Sequence, residues 1–308
     1  MTACLLCGAD HWDVVEPVVR DNRFASPGEW RVRACKSCGL WQTDPLPTDA
    51  QLIELYERHY NFGGEGETGS TWAKLRAAFF ASPLYRLLLA VDGDVSFHTL
   101  RGAGRLLDVG CNEGRGLEIY AGNGFEAEGL ELNRVAADAA RNKGFVVYGV
   151  PIEELQPRAP YDVVVLSNVL EHALDPRAML AAIRRHLAPG GRLCLSLPNA
   201  ASALRARFGK DWINWHVPFH ITHFSAERLS ALLAESGFSV AAVRNVSPAL
   251  WYAQSCIAAQ FPDEPRRQRD PKRVIPLMLW ALTGLAARRA AWNRSGRGDC
   301  LVIEATRA

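Results

Sequence analysis

The chain has 308 residues, of which 48% are hydrophobic, so it can form one large domain with smaller attachments. Its formal net charge is +2. A protein that binds nucleic acid mainly through the phosphates usually has a clear excess of basic residues, so this charge argues against such a function. No apolar run reaches the roughly 18 to 20 residues of a membrane span, and the first residues lack a secretion-signal pattern, so we expect a cytoplasmic protein.

The eight cysteines are unevenly distributed, because four of them form two Cys-x-x-Cys pairs within the first 38 residues. The paired residues are Cys4, Cys7, Cys35 and Cys38. Two such pairs complete the closed tetrahedral shell that structural zinc prefers, and the segments 14–19 and 30–33 between them predict short strands. We therefore predict a zinc-ribbon-like module over residues 1–47 with a structural Zn²⁺. Reduced thiols or a redox pair are the alternative.

The charge of this module bears on its role. Residues 1–45 contain five basic and six acidic residues, so the module is nearly neutral. A neutral ribbon favours a structural or substrate-covering role over the binding of RNA phosphates.

Residues 48–99 have the features of a helical lid or linker. A cap signal at Thr48–Asp49 and apolar residues at helical spacing predict a helix over 48–60. Residues 61–70 contain four glycines and predict a mobile loop, and residues 71–90 again have an apolar helical pattern. A lid would cover a bound ligand, whereas a linker would only connect the module to the next domain.

A glycine-rich turn between a strand and a helix indicates a nucleotide-binding domain, which we place at residues 100–308. The apolar strand 105–109 leads directly into the turn 110–116, and a helix begins near Leu117. In this arrangement backbone N–H groups and the helix N-terminus approach a bound nucleotide closely. A second strand ends at Glu131, where such folds place a carboxylate that accepts hydrogen bonds from ribose hydroxyls.

The first strand and its turn have the sequence Leu-Leu-Asp108-Val-Gly110-Cys111-Asn112-Glu-Gly114. This run resembles motif I of class I S-adenosylmethionine-dependent methyltransferases. Asn112 stands where that motif has its middle glycine, and asparagine tolerates positive φ better than most residues. Later strands of the family are matched in order by the segments 161–168, 192–199, 237–243 and 300–304. The resemblance implies a Rossmann-like α/β fold with a seven-stranded sheet and helices on both faces.

The same resemblance implies S-adenosylmethionine as the cofactor. The donor-binding residues that it assigns are Asp108, Gly110, Cys111, Asn112, Gly114, Glu131 and Asn168. Residues 149–151, in the turn where the family usually contacts adenine, contain no carboxylate. Adenine would then be contacted by backbone groups alone or by the nearby Glu153.

The segment 212–225 is rich in histidine and tryptophan and follows the fifth predicted strand, on the side where the acceptor is expected. Its Pro218-x-His220 before Phe224–Ser225 is similar to a branch of the family linked to sugar and small-metabolite methylation. The similarity implies His220 as the general base or the residue that orients the acceptor, with His216 second. The alternative is that these histidines only satisfy backbone groups.

The turn after the fourth predicted strand contains Glu171 and His172. In the family this turn faces the acceptor. An acidic residue at a helix start is also favoured by the helix dipole alone, so both interpretations remain.

Residues 262–297 combine nine basic residues with three acidic ones around an apolar run at 274–287. We interpret this segment as a helical insertion in the large domain. It either packs on the sheet between the last two strands, or contacts a membrane surface or a lipid-linked or phosphorylated acceptor.

Together these features predict an enzyme that transfers a methyl group from S-adenosylmethionine to a small-molecule, sugar or lipid-linked acceptor, with oxygen as the expected nucleophile. Two other functions stay open. One is an RNA methyltransferase that docks through the zinc ribbon. The other is a non-catalytic donor-binding scaffold, for which Asn112 is the only sign.

Overall fold

The computed structural model describes residues 3–24, 26–59, 78, 82–261 and 271–308. The loop predicted at 61–70, much of the helical pattern predicted at 71–90, and the first part of the basic segment, 262–270, lie outside the described residues. The described residues form two β-sheets with α-helices packed around the larger one.

The elements are numbered in chain order. The strands are β1 (Trp12–Val19), β2 (Trp30–Cys35), β3 (Trp41–Asp44), β4 (Arg105–Val109), β5 (Glu126–Leu130), β6 (Val147–Tyr148), β7 (Tyr161–Ser167), β8 (Leu187–Pro198), β9 (Thr222–His223), β10 (Phe238–Val246) and β11 (Cys300–Arg307). The described α-helices are α1 (Asp49–His59), α2 (Pro83–Asp92), α3 (Arg115–Gly122), α4 (Arg134–Arg141), α5 (Pro176–His186), α6 (Ala203–Phe208), α7 (Ala226–Glu235), α8 (Ala249–Gln260) and α9 (Pro271–Arg294).

The large sheet has seven strands in the order β10-β11-β8-β7-β4-β5-β6. Strands β6, β5, β4, β7 and β8 are parallel, and β11 is antiparallel to both of its neighbours. Successive residues of β4 face opposite sides: Leu106 packs in one cluster with Tyr120 of α3, and Leu107 in another with Leu180 of α5. Helices therefore cover both faces, and the predicted Rossmann-like fold is confirmed.

Local sequence explains several element boundaries. The residues that precede helices α4, α5 and α7 are the N-caps Asn133, Asp175 and Ser225, whose side chains each accept a hydrogen bond from a backbone N–H three residues ahead. Strand β8 begins at Leu187, earlier than predicted. Its pairing with β7 is irregular between Leu187 and Arg192.

The small sheet is antiparallel and has the order β1-β2-β3-β9. Its first three strands come from the N-terminal module, where the sequence predicted β1 and β2 but not β3. The fourth strand, β9, comes from the histidine-rich segment after β8, with Trp41 opposite His223 and Gln42 opposite Thr222. The N-terminal module is thus joined to the large domain by backbone pairing.

Helix α9 lies between β10 and β11 in the chain and packs against α8 and β10. Ala281 is buried in that contact, whereas Ile275 and Trp280 are exposed. The described part of the basic segment is thus a packed helix, and contact of its exposed side chains with a membrane surface stays a prediction. Within the described residues, no helix has both the length and the hydrophobicity to cross a bilayer.

Candidate functional site

Two glycines and an asparagine shape the turn that follows β4. Gly110 and Gly114 have φ angles of 76° and 77°, and Asn112 between them has a φ of 47°. The asparagine therefore adopts the left-handed conformation that its position requires. A Cβ atom at Gly110 would lie 2.9 Å from Cγ2 of Val169, so the turn passes too close to the segment after β7 for a side chain.

Glu131 lies beside this turn at the end of β5. Its carboxylate accepts hydrogen bonds from the backbone N–H groups of Asn112, at 3.0 Å, and Asn133, at 2.8 Å. Burial raises the pKa of Glu131, and these backbone hydrogen bonds oppose that rise. The carboxylate is therefore fixed in orientation at the edge of the glycine-rich turn.

Asp108 and Cys111 are buried close to the turn. Burial, together with the negative charge of Glu131, raises the pKa of Asp108 to about 7. A Cβ atom at Gly116 would lie 2.6 Å from Oδ2 of Asp108, so glycine at the start of α3 leaves room for this carboxyl group. The side chain of Cys111 packs in the core between α3 and α4, and its backbone belongs to the turn.

The segment after β7 forms the opposite wall. Asn168 has a φ of 56°, and its backbone N–H donates to the carbonyl of Ser196 at 2.9 Å, which ties this segment to β8. Val169 contacts the glycine-rich turn at Gly110. A single 3₁₀ turn, Leu170–His172, follows and carries Glu171 and His172.

The histidine-rich segment lies between this 3₁₀ turn and the end of β8. The N–H of Ile221 donates to the carbonyl of Glu171 at 2.8 Å, and the N–H of Ala200 donates to the carbonyl of Phe224 at 2.8 Å. These two contacts bring the predicted catalytic histidines next to Glu171 and His172.

His220 has one ring nitrogen fixed by the backbone and the other directed at Glu171. Nδ1 lies 2.8 Å from the carbonyl oxygen of Asn214, so Nδ1 carries the hydrogen and Nε2 is an acceptor. Nε2 lies 3.9 Å from Oε1 of Glu171. Burial lowers the pKa of His220 well below its usual range, so the ring is neutral at neutral pH. A neutral imidazole is the form that a general base requires.

Glu171 is buried beside His220, and burial raises its pKa to about 8. Neither carboxyl oxygen has a hydrogen-bond partner in another residue that the structure describes, and the backbone N–H of Glu171 itself acts to lower the pKa of the carboxyl group. The ring of His172 stands perpendicular to that of His220, with centroids 4.7 Å apart, and burial lowers the pKa of His172 to about 4. One ligand-type atom from each of these three residues lies within 4.8 Å of the other two, so the cluster could hold a metal ion.

His216 lies among aromatic rings. It stacks on Phe219 with centroids 4.8 Å apart and 16° between the planes, and Phe24 of the N-terminal module packs against both rings at 5.5 Å. The rings of His216 and His220 are perpendicular, with centroids 4.9 Å apart. The structure thus brings the two predicted catalytic histidines together, and the surroundings of His216 are those of a packed side chain.

The N-terminal module completes the surroundings of the histidines. Thr43 Oγ1 donates to the carbonyl of His220 at 2.7 Å and lies 3.0 Å from Nε2 of His223. Arg23 donates to Oδ1 of Asn214 at 3.1 Å. No local motif in the sequence marks Thr43, Arg23 and Asn214 as parts of this site, because they meet the histidines only through tertiary contacts.

The four N-terminal cysteines converge in pairs. The Sγ atoms of Cys4 and Cys38 are 3.5 Å apart, and those of Cys7 and Cys35 are 3.6 Å apart. These separations are too long for disulfides, at about 2.05 Å, and are close to the ~3.8 Å between thiolates that each lie ~2.3 Å from one tetrahedral ion. The cluster has the composition and spacing to hold a metal ion.

The backbone around the cysteines also suits a metal site. Burial acts to raise the pKa of Cys35, but hydrogen bonds from the backbone N–H groups of Cys38 and Ser37 outweigh it and lower that pKa to about 7. Gly8 and Gly39, which follow the two pairs, have φ angles of 73° and 76°. Both knuckle turns therefore use the left-handed conformation that glycine adopts without strain.

Residues 73–243 match a family model described as a methyltransferase domain. A probable S-adenosylmethionine-dependent methyltransferase from Mycolicibacterium smegmatis is 34% identical over 46% of this chain and 54% of that protein. A ubiquinone biosynthesis O-methyltransferase from Thiobacillus denitrificans is 34% identical over 35% of this chain and 51% of that protein. The chain thus spans about half the length of these curated relatives. Among solved structures, an S-adenosylmethionine dependent methyltransferase from Mesorhizobium loti is 17% identical, with a TM-score of 0.48 over 70% of this chain and 96% of that chain.

Proposed function

Because the chain belongs to the methyltransferase domain family, we propose that it transfers a methyl group from S-adenosylmethionine to a hydroxyl of a small-molecule, sugar or lipid-linked acceptor. One observation carries the proposal. The glycine-rich turn after β4 and the histidine cluster beside the turn after β7 are neighbours, because Val169 of the second turn packs against Gly110 of the first. Methyl transfer requires donor and acceptor to lie side by side, and the carboxyl ends of adjacent parallel strands place two binding sites next to each other.

The residues around the glycine-rich turn fit the proposed donor. Gly110 and Gly114 carry no side chain, which lets a nucleotide approach the backbone of the turn, and the fixed carboxylate of Glu131 suits the ribose hydroxyls. A positively charged ligand would stabilise the ionised form of the buried Asp108. Asn168 lies on the opposite wall. When bound, the cofactor supplies an electrophilic methyl group.

The substitution Glu131→Ala tests the donor site. Loss of a charge-assisted hydrogen bond typically costs about 1.5 to 3 kcal/mol, so we expect S-adenosylhomocysteine to bind at least about tenfold more weakly. Titration calorimetry on the folded variant measures this change. Glu126→Ala, which removes an exposed carboxylate at the opposite end of β5, is the matched control and should bind like the parent. Equal affinities of Glu131→Ala and the parent would contradict the assignment.

His220 is the proposed general base. Transfer to a hydroxyl oxygen requires removal of its proton, and the acceptor nitrogen Nε2 of the neutral ring can accept it. Thr43 and Asn214 position the ring through the backbone carbonyl and Nδ1 of His220. His216 is the second candidate, and its place among aromatic rings suits support of His220 better than proton transfer.

We further propose that the four cysteines bind one structural Zn²⁺. The sulfur separations, the glycines after each pair and the composition of four thiolates support this assignment. The ion would hold the small sheet together, and through β3 it would support the backbone of the histidine-rich segment.

The charges of the N-terminal module favour a small-molecule acceptor over RNA. Arg31 and Arg33 pair with Asp44 at 2.6 and 2.7 Å, and Lys36 pairs with Asp13 at 2.9 Å. Acidic partners beside these basic side chains reduce the positive potential that phosphates would meet. Contact of α9 with a membrane surface, which a lipid-linked acceptor would require, stays a prediction.

Isotope labelling can identify an acceptor whose structure is unknown. The protein is incubated with donor labelled with isotope on the methyl group and, in separate reactions, with a small-molecule extract or with purified RNA, and products are detected by mass spectrometry. We expect a labelled product that the Glu131→Ala variant forms more slowly. If only RNA acquires label, the proposal of a small-molecule acceptor is wrong, and if nothing acquires label the scaffold alternative gains support.

A further inference from the structure

The carboxyl group of Glu171 is buried without the contacts that such a group needs. Glu171 is 1% exposed, and neither of its carboxyl oxygens forms a hydrogen bond with another described residue. Buried carboxyl groups are expensive to leave unsatisfied, so folded proteins nearly always pair them. Asp299 shows the usual situation, because its buried carboxylate accepts hydrogen bonds from Ser202, Trp212 and Asn214.

The distances around Glu171 indicate which group could be the hydrogen-bond partner of its carboxyl. Oε1 lies 3.9 Å from Nε2 of His220, which is too long for a direct hydrogen bond. A hydroxyl oxygen about 2.8 Å from each atom would form a hydrogen bond with both at this separation. The hydrogen on Nδ1 is donated to Asn214, so Nε2 can accept from that hydroxyl.

A metal ion fits the same place less well. Two ligand atoms that each lie about 2.1 Å from one tetrahedral ion are about 3.4 Å apart. Oε1 of Glu171 and Nε2 of His220 would therefore have to approach each other by about 0.5 Å. The cysteine pairs, at 3.5 and 3.6 Å, need no such closure. The positive charge of Arg23 also acts on Glu171, His172 and His220, which disfavours a divalent cation in a buried cluster.

We propose that Glu171 and His220 form a subsite for one acceptor hydroxyl, whose oxygen lies between them. The inference rests on the proposed function, because it names the class of acceptor as an alcohol or phenol. The protonated carboxyl of Glu171 donates to the oxygen, and the hydroxyl donates to Nε2 of His220. In the transfer step an oxygen–carbon bond forms, the carbon–sulfur bond of the donor breaks with its electron pair left on sulfur, and the proton passes to Nε2. Burial raises the pKa of Glu171 to about 8, which keeps it protonated at neutral pH.

Thermal stability of the full chain tests this assignment without an acceptor. Glu171→Leu removes an unsatisfied polar group, so we expect Tm to stay the same or rise by about 2 °C. Asp299→Leu is the matched control. It leaves three buried donors unpaired, and we expect Tm to fall by about 5 °C or more. A fall of Tm in Glu171→Leu as large as in the control would overturn the proposal, because Glu171 would then be a satisfied structural residue.

Crystals of the full chain with S-adenosylhomocysteine, soaked in glycerol as the hydroxyl probe, provide the second measurement. We expect an oxygen within about 3.2 Å of both Nε2 of His220 and the carboxyl of Glu171 in the parent, and none there in Glu171→Leu. An ion at about 2.1 Å, a direct bond between the two side chains or an empty site would each overturn the proposal. Failure of S-adenosylhomocysteine to bind would contradict the donor proposal instead, and the Tm comparison does not depend on it.

Discussion

Replacement of Cys35 and Cys38 by serine is expected to remove the metal from the protein and to unfold the small sheet. These residues supply half of the proposed zinc shell, and two thiolates cannot hold a structural ion against solvent. Structural zinc contributes about 10 to 16 kcal/mol of apparent binding free energy in zinc-finger peptides, which is folding free energy for a small module. We therefore expect the zinc content to fall from about one ion per chain to nearly none, and Tm to fall with it.

The measurement is elemental analysis of the purified protein, combined with thermal denaturation. Cys256→Ala is the matched control, because Cys256 is a buried cysteine outside the cluster. The protein with this substitution should keep its zinc. The expected loss extends to catalysis. Strand β3 carries Thr43, which donates to the carbonyl of His220, so the variant should also transfer methyl groups more slowly. Unchanged metal content in the double variant would remove the zinc assignment.

Local sequence patterns predict most of the large sheet and the donor site. Strands such as β4 and β7 are short runs of apolar residues between polar turns, and Gly110, Asn112 and Gly114 occupy positions that need positive φ. These features depend on residues that are close in sequence, so they can be inferred before the structure is known. The same is true of the cysteine cluster, whose two pairs are recognisable by spacing.

The surroundings of the acceptor site depend on contacts that no local pattern encodes. Strand β9 has two residues and no periodicity of its own, yet it pairs with β3, and Thr43 contacts His220 across 177 positions. The importance of Glu171 is hidden for a related reason. An acidic residue in a turn usually faces solvent, and only the packed structure reveals that the oxygens of Glu171 are buried with no partner in another described residue.

The substitution His220→Ala is expected to lower turnover by about 10²- to 10⁴-fold while donor affinity stays nearly unchanged. The reason is that Nε2 of His220 is the proposed proton acceptor, whereas the donor contacts the glycine-rich turn and Glu131. Turnover is measured with the acceptor identified by isotope labelling, donor affinity by calorimetry with S-adenosylhomocysteine, and Tm on the same sample. A selective loss of turnover separates a catalytic base from a histidine that only supports the fold.

His223→Ala is the matched control for this experiment. His223 lies in the same segment, burial lowers its pKa to about 3, and its Nε2 contacts Thr43. Its loss should lower Tm, and any fall in turnover should follow the loss of folded protein. An acceptor that arrives without a proton to remove, such as a free amine or a stabilised carbanion, would leave His220→Ala nearly as active as the parent. Unchanged turnover in His220→Ala would therefore exclude His220 as an essential base, and a Tm loss equal to that of His223→Ala would make it a structural residue.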